Sequence, residues 1–372
     1  MNFDFSEDQK FVQKTARDYL DEHSGLDVCR AVLESNQTHD ADLWKGVAEM
    51  GWLGAAVPES YGGAGMGYLE LVLIAQEVGR ALAPIPFSSS VYLCTEAILR
   101  YGSDAQKEKY LPRLVAGDLI GTGAFFEGPG DLDPSSFELK LHDGKLTGEK
   151  WPVLDGDIAG LAVTLAADES GRLSMVLVDL EGSGVTRTAL GSFDPSRSQA
   201  KLEFHDAPAE TLGDPTAGLA QTEALLDRAA LLIAFEQIGG ADRALEITKE
   251  QIMGRYAFGR PIASFQAVKH HMADVYCAIE LARSNAYYGA YAISNDLEEE
   301  LGLAACASRS AASDAYDLAS QEMIQLHGGV GFTWEYDCHL FYRRAKLLSV
   351  CIGSPSAWRD RLITRLEARE SL

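Results

Sequence analysis

Hydrophobic residues recur along this chain with a period that changes twice. From residue 5 to about 120 they fall at helical spacing, in FSEDQKFVQKTARDYLDE, ADLWKGVAEMG, YLELVLIAQEVGRAL and DAQKEKYLPRLVAG. Ser6 stands where it caps the first of these segments, and Asp104 where it caps the last. VPESYGGAGMG and APIPF break the pattern between them. From 121 to about 212 the apolar runs shorten to LAVTLAA, LSMVLVDL and AKLEFHD, parted by HDG, ESGR and EGSG turns. That alternation predicts antiparallel strands. From about Gly218 the helical period returns in TEALLDRAALLIAFEQIGGADRALEITKEQIMGRY and FQAVKHHMADVYCAIELARSNAYYGAYAISN. Helices this long bury an apolar stripe in a bundle or a subunit interface.

Length and composition narrow the class. A chain of 372 residues, 47% hydrophobic and 23% charged, has the size for two or three domains around a large core. No run of about 18 apolar residues predicts a membrane span. MNFDFSEDQKFVQK lacks the basic and apolar regions of a signal peptide. The six cysteines form no CxxC pair and no zinc spacing with histidine, which suits buried thiols in a cytoplasmic protein. His270 and His271 have Asp274 within one helical turn, but no converging ligand set, so no metal is expected and a surface or interface position is.

A net charge of −23 argues against nucleic acid as a partner. It also means that any polyanionic cofactor needs local positive charge, which Arg255 and Arg260 can supply. These arginines belong to RYAFGRPIASFQAVKHHMADVY, where a Gly-Arg-Pro corner separates two helices. Such a corner presents a guanidinium, an aromatic face and an amide to a phosphate-bearing ligand with a stackable ring. The same residues also suit an ordinary helix-helix turn with a basic rim. A second constellation is QLHGGVG, residues 325–331, where glycines allow close backbone approach and a glutamine reads a polar edge. A tight interhelical turn is the plainer alternative. Trp334, Tyr336, Phe341 and Tyr342 are expected to pack.

Arg255 to Gln266 closely resembles the R-x-x-F-G-x-P-I-x-x-F-Q motif of the acyl-CoA dehydrogenases, and Gln325 to Gly331 resembles their Q-x-x-G-G-x-G stretch. PESYGGAG, EVGRALAPIPF and QKEKYLPRLVAGD look like the same family's N-terminal region, so the resemblance covers nearly the whole chain. It implies an α+β fold: an N-terminal helical domain at 1–120, a central antiparallel β-domain at 121–212 and a C-terminal four-helix bundle at 213–372. It implies FAD as cofactor. It implies that Arg255, Phe258 and Gln266 contact the FAD of a neighbouring subunit, and that Gln325, Gly328 and Gly329 hold its adenosine-diphosphate half. The implied reaction removes an α-hydrogen of an acyl-CoA as a proton and a β-hydrogen as a hydride, with an electron-transfer flavoprotein as acceptor. Tyr287, Tyr288 and Tyr291 would then line an acyl cavity, although helix packing is the simpler expectation.

The chain departs from the pattern where chemistry is needed. Ile352 precedes Gly353-Ser354 where a glutamate base often stands, and an isoleucine takes no proton. The alternative base position, counted back from Gly239, falls on Ala229. Asp227 is the nearest carboxylate, but two residues on a helix turn it by about 200°, which points to an interface or solvent face. Of the usual T-E-P-x-x-G-S-D run, FFEGPGDLDPSS keeps Glu127 and puts Phe126 for the threonine. The aromatic-Ile-Thr stretch that covers the flavin becomes Pro152-Val153-Leu154 after Gly148-Glu149-Lys150-Trp151, and Leu154 has no hydroxyl. Trp151 reads as core. The resulting asymmetry suits one subunit of an α2β2 acyl-CoA dehydrogenase, of the kind that acts on steroid or bile-acid side chains, whose partner carries the base. A homotetramer using Asp227 and a non-catalytic acyl-CoA-binding or scaffold subunit are the alternatives.

Overall fold

Ser6 opens the first helix as expected. In this computed structural model, which describes residues 5–128, 131–133, 135 and 137–370, the Gln9 amide donates to the Ser6 hydroxyl at 3.2 Å, and Ser6 N donates to the Gln9 side-chain oxygen at 2.9 Å. The reciprocal pair satisfies two backbone donors that a helix start leaves open. The helices of this first region are α1 (Glu7–His23), α2 (Leu26–Glu34), α3 (Ala41–Glu49), α4 (Tyr68–Arg80), α5 (Glu96–Tyr101) and α6 (Asp104–Val115). The cap of α6 differs from expectation. Ser103 takes that place, in a second reciprocal box with Gln106, and Asp104 is the first helical residue. Its charge there still favours the positive end of the helix. Ser88–Thr95 forms a buried π-helical segment, which a search at 3.6 residues per turn does not find.

Seven strands form one mixed sheet: β1 (Gly121–Ala124), β2 (Lys140–His142), β3 (Lys145–Leu154), β4 (Leu161–Ala167), β5 (Leu173–Asp179), β6 (Val185–Leu190) and β7 (Gln199–Thr211). Five pairings are antiparallel, as the turns predict, but β1 and β2 both run parallel to β4. Turn residues report only hairpins between successive strands. β1 and β4 are separated by the whole β2–β3 hairpin, which gives the chain length a parallel pairing requires. Leu146, Val153, Val176, Leu202 and Phe204 fill the core of the sheet.

The chain divides into two compact units. One takes in Val32–Leu71 and Pro84–Ala229, and so holds the sheet. Within it a buried ion pair, Arg197 Nη2 to Asp155 Oδ2 at 2.6 Å, also engages Ser88 and Ser89, tying the π-helical segment to the end of β3. The other takes in Met1–Ala31, Val72–Ala83 and Ala230–Leu372. Its elements are the part of α7 (Gly218–Gly254) from Ala230 on, the strands β8 (Tyr256–Ala257) and β9 (Arg260–Pro261), α8 (Gln266–Ser294), α9 (Glu298–His327), α10 (Cys338–Val350) and α11 (Pro355–Glu370). α8 packs along α9, and α10 and α11 both lean on α9.

Within this unit α4 crosses α7 at two glycines. A Cβ on Gly79 would meet the Glu236 carbonyl oxygen at 1.9 Å, and one on Gly239 would meet the Gln76 carbonyl oxygen at 1.8 Å. Both obstacles are backbone and cannot rotate away. Gly239→Ala is therefore expected to destabilise the chain by about 1–3 kcal/mol or more in urea unfolding. Gly191→Ala, which has open space and no left-handed backbone, is expected to stay within about 0.5 kcal/mol of the parent.

Candidate functional site

The Arg255–Gln266 motif folds as a short hairpin leading into α8. Ala257 pairs with Arg260 and Tyr256 with Pro261. The two residues between, Phe258 and Gly259, have φ of +53° and +78°. A two-residue hairpin with both central residues left-handed is a type I′ turn, whose twist matches the strands it joins. Glycine adopts that conformation freely. Phenylalanine does so at a cost of about 1–2 kcal/mol. The strain puts the Phe258 ring at the hairpin tip, 96% exposed, with an edge contact to Phe265 at 6.3 Å. The Arg260 guanidinium lies 4.1 Å over the Phe265 ring.

The second motif meets the first. α9 ends at His327, and Gly328 turns the chain with φ of +68°. Arg255 Nη1 donates to the His327 carbonyl at 2.6 Å, and a Cβ on Gly328 would sit 3.1 Å from that same nitrogen. Gly329 has open space beside it. Burial lowers the pKa of the His327 imidazole, with Arg255 adding to the effect against a hydrogen bond to Met323 O that opposes it. Arg30 anchors the loop that follows, bonding Asp337 and the Trp334 carbonyl. A cavity of about 600 Å³ opens here, lined by Gln251, Arg255, His327, Tyr336 and Asp337 among others. Gln266 and Gln325 lie at the start of α8 and in the last turn of α9. A guanidinium, two carboxamides and two glycine amides make a donor set that suits a diphosphate. These residues of the outward face therefore fit a contact with FAD.

The base positions do not fit proton abstraction. Ile352 is buried, and its carbonyl accepts from Trp358 Nε1 at 3.2 Å. One turn earlier, Arg309 Nη2 donates to the Leu348 carbonyl. The turn is thus held firmly and carries an apolar side chain. Ala229 is fully buried. Asp227 is 6% exposed, which corrects the interface or solvent face expected for it: α7 is enclosed around this part of its circumference. Next to it, Arg228 Nε bonds Glu96 Oε1 at 2.6 Å, and Tyr68 OH donates to the same oxygen at 2.9 Å. Burial, reinforced by Glu96, raises the Tyr68 pKa. Tyr68, Glu96 and Arg309 were not legible as site residues in the sequence. Their only signal was polar chemistry inside apolar runs.

The stretch expected to face a flavin is also closed. The Glu127 carboxylate accepts from Glu138 N at 2.6 Å, Leu139 N at 3.0 Å and Lys150 Nζ at 2.7 Å. Lys150 is fully buried, with Phe137 4.0 Å from its ammonium. Phe126 and Leu154 bring no hydroxyl, and Asp131, Asp133 and Glu138 line the adjoining cleft of about 360 Å³. Pro129, Gly130, Pro134 and Ser136 lie outside the described residues. Trp151 is half-buried beside Gly128 and does not belong to the core. It follows the buried Lys150 on β3, so its side chain points to the opposite, outer face of the sheet, which a large aromatic beside a proline does not reveal by residue type. These positions lack the side-chain donors that would hold an isoalloxazine.

Other predicted residues scatter. Phe341 is buried, but Trp334 and Tyr336 are exposed, Trp334 stacking on His339 at 4.4 Å. Tyr287 stacks on Phe235, while Tyr288 faces outward. His270 and His271 are exposed, and His271 Nδ1 lies 3.0 Å from Glu322. Among the described residues no group of three His, Cys, Asp or Glu could hold a metal, and no helix is long and apolar enough to cross a membrane.

Residues 6–118 match the family model for the acyl-CoA dehydrogenase N-terminal domain, and residues 216–366 match that for its C-terminal domain. The chain belongs to the acyl-CoA dehydrogenase family. Members are oxidoreductases acting on CH–CH bonds of acyl-CoA, and their cofactor is FAD. The chain is 32% identical to the acyl-CoA dehydrogenase IpdE2 of Mycobacterium tuberculosis, over 94% of each chain. Its fold superposes on a variant of the Tcur3481–Tcur3483 steroid acyl-CoA dehydrogenase with a TM-score of 0.90 and 29% identity, covering 98% of this chain and 99% of that one. It superposes on a chain of the ChsE4–ChsE5 complex from Mycobacterium tuberculosis with a TM-score of 0.88 and 27% identity, covering 99% of each.

The Lys150–Glu127 pair sets a pH dependence of stability in this acyl-CoA dehydrogenase. Burial pushes the Lys150 pKa down to about 8, against the opposing pull of Glu127. The folded state then binds fewer protons than the unfolded state between about pH 8 and the ordinary lysine value of about 10.4. Stability therefore rises with pH across that window. In thermal melts, the difference between the parent and Lys150→Met is expected to shift in the parent's favour from pH 8 to pH 10. A flat difference would show that Lys150 does not titrate there.

Proposed function

We propose that this chain is the non-base subunit of a heteromeric acyl-CoA dehydrogenase, with 1–120, 121–212 and 213–372 as its three domains. The observation that carries the proposal is an opposition within one chain. Ile352 and Ala229 make both base positions apolar and buried, while Phe258, Gln266, Gln325 and the glycine turn face outward beside Arg255. A partner subunit of the same family supplies the base and the flavin-facing strand. When bound, FAD accepts the substrate's β-hydrogen as hydride. The residues of this chain orient that cofactor: Arg255, Gly328 and Gly329 at the diphosphate, Gln266 and Gln325 through their amides, and Phe258 as an apolar plug against the partner. Printed names of relatives include a steroid acyl-CoA dehydrogenase and a two-chain complex, which supports an α2β2 assembly acting on the acyl-CoA of a steroid or bile-acid side chain. An electron-transfer flavoprotein is the acceptor this reading carries, in the cytoplasm.

A homotetramer using Asp227 is the second reading, because its carboxylate is buried on α7 two residues from the alternative base position. Expression of the chain alone and with a partner dehydrogenase subunit separates the two. The pair is expected to give two FAD per four chains and turnover, and the lone chain neither. Full flavin occupancy and turnover by the lone chain, with Asp227→Asn abolishing the turnover and leaving the visible flavin spectrum intact, would establish the second reading instead.

Phe258→Gly isolates the strained tip. Glycine relieves the left-handed strain, so the lone chain is expected to melt at the same temperature or a little higher, by the equivalent of up to about 1–2 kcal/mol. The assembled pair is expected to retain less flavin through gel filtration. Unchanged retention would remove Phe258 from the cofactor contact.

A further inference from the structure

Residues 254–273 hold Arg255, Arg260, Lys269, His270 and His271 and contain no Asp or Glu, in a chain whose net charge is −23. The acidic chain has carboxylates to spare, and it pairs other arginines with them: Arg30 with Asp337, Arg80 with Glu246, Arg283 with Asp242, Arg359 with Asp314. Among the described residues, Arg255, Arg260 and Lys269 have no such partner. Arg255 is fixed by a carbonyl instead. Arg260 is fixed by an aromatic ring, its guanidinium lying 4.1 Å over Phe265. Stacking of this kind orients the guanidinium plane while leaving its five N–H donors, which point outward in that plane, available.

The hairpin places the two arginines on one side. Arg260 pairs with Ala257, and cross-strand partners share a face. Arg255 immediately precedes β8, and its carbonyl accepts from Ile262 N at 2.8 Å, which continues the pairing by one position and puts Arg255 in phase with Ala257. Diagonal neighbours of this kind stand about 7–8 Å apart, a span that two long guanidinium side chains close readily around one polyanion.

We infer that Arg260 is a second phosphate-recognising residue, acting with Arg255 on the diphosphate of an adenine nucleotide. This rests on the cross-subunit reading proposed above and deepens it. Arg255 is the fixed contact beside the glycine turn. Arg260 extends the cationic surface to the hairpin tip, and the Phe258–Phe265 edge contact keeps its aromatic support in place. Two nucleotides of such an assembly carry this group, FAD and acyl-CoA, and the test separates them.

The test uses the assembled complex with its partner subunit, stripped of flavin, and the variants Arg260→Ala, Arg260→Lys and Arg255→Ala. Dissociation constants are measured by flavin fluorescence for FAD and by calorimetry for an acyl-CoA, and the native mass is recorded for each variant. Arg260→Ala is expected to weaken one of the two ligands about tenfold or more, as loss of a charge-assisted contact does. Arg260→Lys is expected to recover only part of the loss, since an ammonium does not stack as a guanidinium does. The assembly mass is expected to stay unchanged. Loss confined to FAD assigns the residue to the cofactor, and loss confined to acyl-CoA assigns it to the substrate. Unchanged affinity for both ligands would overturn the inference. So would dissociation of the assembly with affinity retained in what remains assembled, which would make a carboxylate surface of the partner the anion. If Arg255→Ala loses FAD and Arg260→Ala loses nothing, the inference fails and the cross-subunit reading stands. If neither variant changes the affinity for either ligand, both fail together.

Discussion

The outward face of this dehydrogenase depends on one hydrogen bond, from Arg255 Nη1 to the carbonyl of His327, 72 residues away. It joins a hairpin to a helix end and so makes two motifs into one surface. Its neighbours serve the same geometry. Gly328 has to be glycine, because its backbone is left-handed and a Cβ would press on the same guanidinium nitrogen. His327 is kept toward its neutral form by burial and by Arg255, so that two positive charges do not oppose one another. The carbonyl engages the guanidinium without neutralising it, which leaves the charge of Arg255 directed at whatever approaches.

The motifs were the legible part of the sequence, because each concentrates residues whose backbone or charge has few other uses. Arg255 and Gly328 stand together and so join the two motifs that the resemblance singled out. Position along a strand was less legible. Trp151 alternates with the buried Lys150 and so faces outward, and its residue type beside Pro152 did not carry that phase. Asp227 failed for a different reason. Helical geometry gives its direction relative to Ala229, but not how much of the helix the rest of the unit encloses. The parallel pairings of β4 and the Ser88–Thr95 segment left no local signature at all, since one depends on contacts far apart in sequence and the other on a period outside the search. Asp104 lost the cap to Ser103 by one residue, where the Gln106 spacing was the deciding signal.

Where the family pattern places a carboxylate, folding favours the residue this chain has instead. A carboxylate at Ile352 would be buried in a turn fixed by Trp358 and Arg309, and a buried carboxylate without close partners destabilises its surroundings by several kcal/mol. Isoleucine in the same place gains apolar burial of about 1.5–3 kcal/mol. Glu127 follows the same logic. Its oxygens accept from two backbone amides and Lys150, which commits the carboxylate to the chain's own donors.

The outward face runs against that preference. Phe258 keeps a left-handed backbone that glycine would hold without strain, and exposes nearly its whole ring to water. Arg255, Arg260 and Lys269 keep like charges close together in a chain with ample carboxylate to pair them. Neither feature lowers the free energy of the isolated chain. Folding stability alone accounts for an apolar Ile352 and an internally bonded Glu127, but not for a strained, exposed phenylalanine beside uncompensated arginines. Those become favourable when an apolar surface covers the ring and an anion meets the guanidinium groups, and the partner subunit proposed above, with its diphosphate cofactor, would provide both at once.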